Sequence, residues 1–238
     1  MSLTVRVLPD GPIDKTFDYL VPERLRALAL VGAQVRVPLH GRRVSGWVVD
    51  VDVAPPAEVK MASVLAVRGL GPPPDVVALA RWAAHRWAGR TASLLTAASP
   101  PALVQRLPPS LMGTVPVGAL SPVRHGVADL PTEALVRPGA LVRVPPPIDH
   151  LPLVLAAARL GPALVVTPSV GAARALATRV RRAGVGVALV PRDWAQSFAG
   201  AGVTIGARGA VWAPAHGLAV ILVIDEHDEG LKEERVPT

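Results

Sequence analysis

Short apolar and polar runs, broken by turn residues, fill the first hundred positions. Leu3–Leu8 alternates and predicts a strand ended by Pro9-Asp10-Gly11-Pro12. Thr16–Val21 is a second short strand closed by Pro22, and Glu23–Leu30 has room for a turn of helix. Ala33–Pro38 forms a third strand. His40-Gly41-Arg42-Arg43 then turns the chain into the long run Val44–Val53, whose central Gly46 predicts a bend or bulge. A Pro-rich loop, Ala54–Val59, leads to a further strand at Met61–Val67. Several short strands joined by turns predict a small curled sheet or barrel. After Gly-Pro-Pro-Pro the period changes. Asp75–Ala88 places Val76, Leu79, Ala80, Ala83 and Trp87 on one helical face, and Thr91–Ala98 reads as a short second helix.

Prolines punctuate residues 101–150 and periodicity fades, which predicts a linker with a few ordered pieces such as Leu141–Val144. From Leu151 onward helical and strand patterns alternate. Helices are expected at Leu151–Arg159, Val170–Ala183 and Asp193–Phe198, and strands at Ala163–Thr167, Val185–Val190 and Val203–Ile205. That alternation predicts a parallel, doubly wound sheet. Its most distinctive stretch is Val220–Asp228, V-I-L-V-I-D-E-H-D. An unbroken apolar run predicts a strand covered on both faces, central to the C-terminal core. Acidic residues at its carboxyl end stand where open α/β sheets bind ligands. The fold class is therefore mixed: a small β-rich domain over 1–100, a proline-rich linker over 101–150, and an α/β parallel-sheet domain over 151–238.

Composition narrows the chemistry. Half of the 238 residues are apolar, so a packed core is expected. The absence of cysteine removes disulfides, thiol chemistry and cysteine-rich zinc sites, and the histidines are scattered without ligand spacing. No charge-free apolar run reaches the roughly 20 residues that span a bilayer, and the N-terminus lacks a signal-peptide pattern, so a cytoplasmic location is expected. The net charge of +7 is carried almost wholly by arginine and reverses in the acidic C-terminal stretch. Such an excess permits a nucleic-acid partner.

Three groups are candidates for function. Phe17-Asp18-Tyr19 sets an acceptor between two rings, which can stack on a base or sugar, although periodicity alone puts both rings in the core. Arg42 and Arg43, with Lys60, can hold phosphate, or simply be solvated. On the helix-forming stretch Asp75–Ala88, Trp87 is read as packing and His85 and Arg86 as surface.

In order and spacing, T-F-D-Y-L-V-P (16–22), V-G-A-Q-V-R-V-P-L-H-G-R-R (31–43), G-W-V-V (46–49), Lys60 and A-R-W-A-A-H-R-W-A (80–88) closely resemble the N-terminal 3′ DNA-binding domain of the primosomal protein N′ (PriA) replication-restart helicase family. The resemblance implies a domain that captures the 3′ end of a strand at a branched or stalled fork. It implies a pocket in which Phe17 and Asp18 meet the terminal nucleotide, with Asp18 accepting from the 3′-hydroxyl. The family's turn glycine falls at His40 or Gly41 and its lysine at Lys60. Primosome proteins and single-stranded DNA-binding protein are the implied protein partners, with a nucleoid or fork-associated location and no membrane role. The family's winged-helix domain has too little room in residues 101–150 and is expected to be missing or reduced.

The C-terminal part resembles the same family's first, RecA-like helicase lobe. L-V-V-T-P-S (164–169) is similar to motif Ia, V-T-I-G-A-R-G-A-V-W-A-P (203–214) to the Ib region, and I-D-E-H-D (224–228) to motif II. The departures are chemical. A nucleotide hydrolase cradles phosphates with G-x-x-x-x-G-K-S/T, and that pattern occurs nowhere in the sequence. Where it should stand, before the helix near Leu151, the chain reads R-V-P-P-P-I-D-H, and prolines have no amide hydrogen to offer. Asp225 and Glu226 are then a degenerate motif II, with ATP and Mg²⁺ binding expected lost, no cofactor, and no family zinc site. The expected function is that of a noncatalytic protein recognising DNA 3′ ends in replication restart. A degenerate ATPase or helicase fragment, truncated within its first lobe, and an inactive protein-interaction scaffold are the alternatives.

Overall fold

The computed structural model describes residues 3–12, 14–54, 61–113, 134–143 and 149–232. They divide into two compact units, Met1–Arg106 and Leu107–Thr238.

The first unit is β-rich. Strands β1 (Leu3–Pro9), β2 (Phe17–Val21), β3 (Gln34–Leu39), β4 (Arg42–Val51) and β5 (Ala66–Gly69) form one sheet in the order β2-β1-β4-β3-β5, with every neighbouring pair antiparallel. The sheet curls until its ends meet. Residues 62–65 hydrogen-bond β2 on one side, through Leu20 N to Ala62 O at 3.0 Å and Val64 N to Leu20 O at 2.9 Å. On the other side Leu65 N donates to Arg36 O at 2.9 Å. Closure removes exposed sheet edges and encloses Val5, Val7, Tyr19, Val21, Val35, Val37, Val48 and Val64. The strand expected at Met61–Val67 is thus a connecting ladder followed by β5, displaced toward Gly69.

Gly46 does not supply the bulge. The register between β1 and β4 shifts between Arg6 and Val7, opposite Asp50 and Val48, so Val49 is the extra residue. Gly46 is instead where β1 comes close: a Cβ there would lie 2.5 Å from Leu8 O.

Two helices pack on this sheet. Helix α1 (Pro74–Arg86) begins with proline at its first position and buries Val76, Val77, Ala80, Ala83 and Ala84. Trp87, expected in that stripe, is 61% exposed. The helix ends one residue earlier and Ala88 adopts φ +50°, which turns the indole off the buried face. It meets Trp82 edge to face at 5.3 Å instead. Helix α2 (Thr91–Ala98) has no cap from its own flank. Asp14, in the loop before β2, accepts from Thr91 N, Thr91 Oγ1 and Ala92 N at 3.0, 2.9 and 3.2 Å. Beyond α2, Leu70 N donates to Val104 O at 2.7 Å.

The second unit is mixed α/β. Strands β6 (Ala163–Val166), β7 (Val187–Leu189), β8 (Val203–Gly206) and β9 (Val220–Val223) make a parallel sheet in the order β7-β8-β6-β9. Helices α3 (Leu151–Leu160) and α4 (Val170–Arg182) cover one face over Ala163, Val165, Val203, Ile205, Val220 and Leu222. On the other face Leu164 and Val166 pack with Ala210 and Ala213, and Ser197 of α5 (Trp194–Ala199) hydrogen-bonds Thr204 at 3.1 Å. Residues of the expected linker join this unit, with Leu111 N donating to Gly200 O at 2.9 Å.

β9 departs from expectation. Among the described residues it is an edge strand rather than a central one, and only alternate residues are buried: Ile221 is 61% and Val223 52% exposed. The cover over Leu164 and Val166 stops short of their partners Ile221 and Val223. An unbroken apolar run is here a half-buried edge.

Candidate nucleic-acid interface

The site builds from the turn at one end of the barrel. Leu39 pairs with Arg42, leaving His40 and Gly41 as a two-residue hairpin loop with φ +47° and +75°. Positive φ at both positions is the type I′ geometry that matches strand twist, and glycine adopts it freely. The following arginines alternate. Arg42 lies on the side of β4 that continues inward to Val44 and Val48, while Arg43 lies on the outer face opposite Pro38. Both are exposed.

β2 begins at this same end. Phe17 pairs with Val7, which pairs with Val48 of β4. The interior links strand to hairpin directly, since Tyr19 Oη donates to Pro38 O at 3.0 Å. Tyr19 is buried, and that burial raises its pKa. It is therefore a core residue, as periodicity predicts, and a strut between the two halves of the site.

Alternation sends Phe17 and Asp18 to opposite faces. Phe17 is half-buried against the core, with Lys15 Nζ 5.5 Å from its ring centroid. Asp18 points outward to its cross-strand partner Arg6, accepting from Nε at 2.8 Å and Nη2 at 3.1 Å. The hydrogen bond and then the charge of Asp18 raise the Arg6 pKa against desolvation, and Asp50 adds to them. Asp50, also opposite Arg6, pairs in turn with Arg81 of α1 at 2.7 Å. Asp18, Arg6, Asp50 and Arg81 thus form a row of alternating charge.

The structure therefore brings Phe17, Asp18, His40, Gly41 and Arg42 to one end of the barrel, with Arg43 on its outer face. Lys60 lies outside the described residues. Arg6 and Lys15 belong to the same end and escaped the sequence reading. Lys15 had a signal, as a rare lysine just before Thr16-Phe17-Asp18; Arg6 had none, because its place depends on strand register.

Residues 6–100 match the PriA 3′ DNA-binding domain (3′BD) family. The β-rich unit is accordingly a DNA-binding domain homologous to the 3′ module of PriA. No curated protein matches the chain. The matched span runs from Arg6, the partner of Asp18, to just past α2, and so covers both helices and all of the barrel but the first three residues of β1.

Outside the PriA-type domain, Asp225 and Glu226 form an exposed turn after β9, at the carboxyl end of the parallel sheet. Asp225 has φ +50° and its Oδ1 lies 3.6 Å from His150 Nε2. Asp149 is engaged by Arg179, whose hydrogen bond lowers the Asp149 pKa. Among the described residues no group of three or more His, Cys, Asp or Glu is placed to hold a metal ion. Among them, too, no helix is long and apolar enough to cross a membrane.

Proposed function

We propose that this protein binds the 3′-hydroxyl end of a DNA strand at branched or stalled replication forks, without itself hydrolysing ATP, and serves replication restart. The observation that carries the reading is Asp18. A carboxylate already held by Arg6 is a poor phosphate ligand but a good acceptor for a hydroxyl, a group that only a free 3′ end presents. Arg6 uses two of the roughly four lone-pair positions of that carboxylate, which leaves acceptor capacity for a sugar hydroxyl. In this reading Arg42 meets the terminal phosphodiester and Phe17 limits the depth of entry, with His40 and Gly41 shaping the rim. Lys60 is assigned to the same pocket on the family resemblance alone.

The test is binding of the chain to forks whose leading-strand end carries either a 3′-hydroxyl or a 3′-phosphate. The hydroxyl should be preferred; equal affinity for both ends would sink the pocket assignment.

We read the second unit as a helicase-type, RecA-like lobe that serves the first without turnover. Its support is the acidic turn at the carboxyl end of a parallel strand, in a sequence lacking the phosphate-cradling loop. DNA-stimulated ATP hydrolysis by the purified chain, abolished by Asp225→Ala, would overturn the noncatalytic reading. Primosome assembly through protein partners is the role carried over from the resembling family.

A further inference from the structure

The outer face of the barrel is divided by charge. On the β2–β1 side, cations are committed: Arg6 pairs with Asp18, and Arg81 with Asp50. On the β3–β4 side they are not. Arg36 and Arg43 both project from this outer face, since Arg36 sits opposite Ser45 and Arg43 opposite Pro38. The inward neighbours Val35 and Val37 are fully buried, which fixes Arg36 outward. Arg36 and Arg43 are diagonal neighbours, about 7–8 Å apart in a sheet, close to the separation of successive phosphates along a nucleic-acid strand. Arg68 adds a third exposed cation on β5, as the extra residue where the β3–β5 register shifts, two residues beyond Ala66, which pairs with Arg36. All three are exposed, and among the described residues none of them makes a side-chain hydrogen bond or ion pair.

This surface also lacks rings. Around the arginines it presents exposed Ser45 with half-buried Pro38 and Ala66, and the one aromatic on the same face of β4, Trp47, is buried where its Nε1 meets Ser99 Oγ at 2.8 Å. Proteins that hold single strands combine cations with aromatic platforms for the unstacked bases. Cations without platforms suit a strand whose bases are already stacked in a duplex and which offers only phosphates.

We propose that Arg36, Arg43 and Arg68 form a phosphate track for the double-stranded DNA behind the 3′ terminus, separate from the end-binding pocket. It rests on the reading that the 3′ end enters beside the hairpin, and it adds that the outer face of the same hairpin grips duplex. The track supplies affinity and sets the direction in which the duplex leaves. It reads neither sequence nor end chemistry.

The experiment measures anisotropy of three labelled DNAs with the full chain: a duplex ending in a 3′-hydroxyl, the same strand alone, and the duplex ending in a 3′-phosphate. The Arg36→Gln/Arg43→Gln variant should bind the duplex at least about tenfold more weakly and lower its salt slope by about two, the signature of two lost phosphate contacts. Its affinity for the single strand should stay within about twofold, and its hydroxyl-over-phosphate preference should persist. Arg36→Lys/Arg43→Lys, which keeps the charges, should recover most of the duplex affinity. Unchanged duplex affinity, or an equal loss on single strand and duplex, overturns the track. Loss of duplex affinity in a protein that never discriminated hydroxyl from phosphate supports the track and overturns the pocket.

Discussion

Asp18 and Arg6 face one another across β2 and β1 as a bidentate ion pair, 2.8 and 3.1 Å between donor and acceptor atoms. The carboxylate is held in orientation and the guanidinium is masked. Each depends on the other for its behaviour toward DNA. Arg6 is the more exposed of the two but its donors are engaged, so in the proposed pocket Asp18 would offer a terminal hydroxyl its remaining lone pairs.

Asp18→Ala should therefore do more than abolish selectivity. It unmasks Arg6, whose two donors then suit a phosphate. The preference for a 3′-hydroxyl end should invert to one for a 3′-phosphate end, read by competition between the two ends. Arg6→Gln should weaken all binding modestly while keeping the original order. A simple loss of preference in Asp18→Ala would mean that Arg6 does not reach the terminus.

Tyr19→Phe removes the donor to Pro38 O and should cost about 1 kcal/mol in urea unfolding, since a part-buried carbonyl is left without its partner. The pH dependence follows from burial, which raises the Tyr19 pKa in the fold. The folded state holds the phenolic proton more tightly than the unfolded chain. Its contribution is complete below the ordinary tyrosine value of 10.0 and fades as pH climbs through the raised folded value. The parent should lose stability across that alkaline window, and Tyr19→Phe should flatten the slope.

Asp14→Ala strips α2 of its cap and should lower stability by about 1 kcal/mol. Because Lys15 and Phe17 follow directly, affinity for a 3′ end should drop as well, at temperatures where the domain remains folded by circular dichroism.

Ile221→Lys and Val223→Lys should change thermal stability by no more than about 0.5 kcal/mol, because these side chains face solvent on an edge strand. Leu222→Ala, one residue away on the buried face, should cost at least about 2 kcal/mol. Aggregation on concentration, followed by light scattering, should fall in the lysine variants.

Local pattern was legible wherever local physics decided. The turns, the strand runs, α1 and α2 follow from punctuation and period, and alternation alone placed Tyr19 inside. What escaped reading depended on partners distant in sequence. V-I-L-V-I carries no mark telling a central strand from an edge; among the described residues the cover from Ala210 and Ala213 lies over Leu164 and Val166 and leaves Ile221 and Val223 exposed. Trp87 fits the helical stripe by count, but the helix ends at Arg86. Phe17 and Asp18 are adjacent in sequence and diverge in space, and the pairing of Asp18 with Arg6 follows from β1–β2 register. The resemblance to PriA supplied the residues of the site without the geometry that joins them.

The tie between Asp14 and Thr91 also sets how far the DNA-binding unit can be trimmed. A protein engineer cutting after the last barrel strand would keep every residue of the proposed pocket and discard the anchor that presents two of them. The shortest useful module should run past Ala98. Supplying α2 in trans as a separate peptide should partly restore end binding to a shorter one.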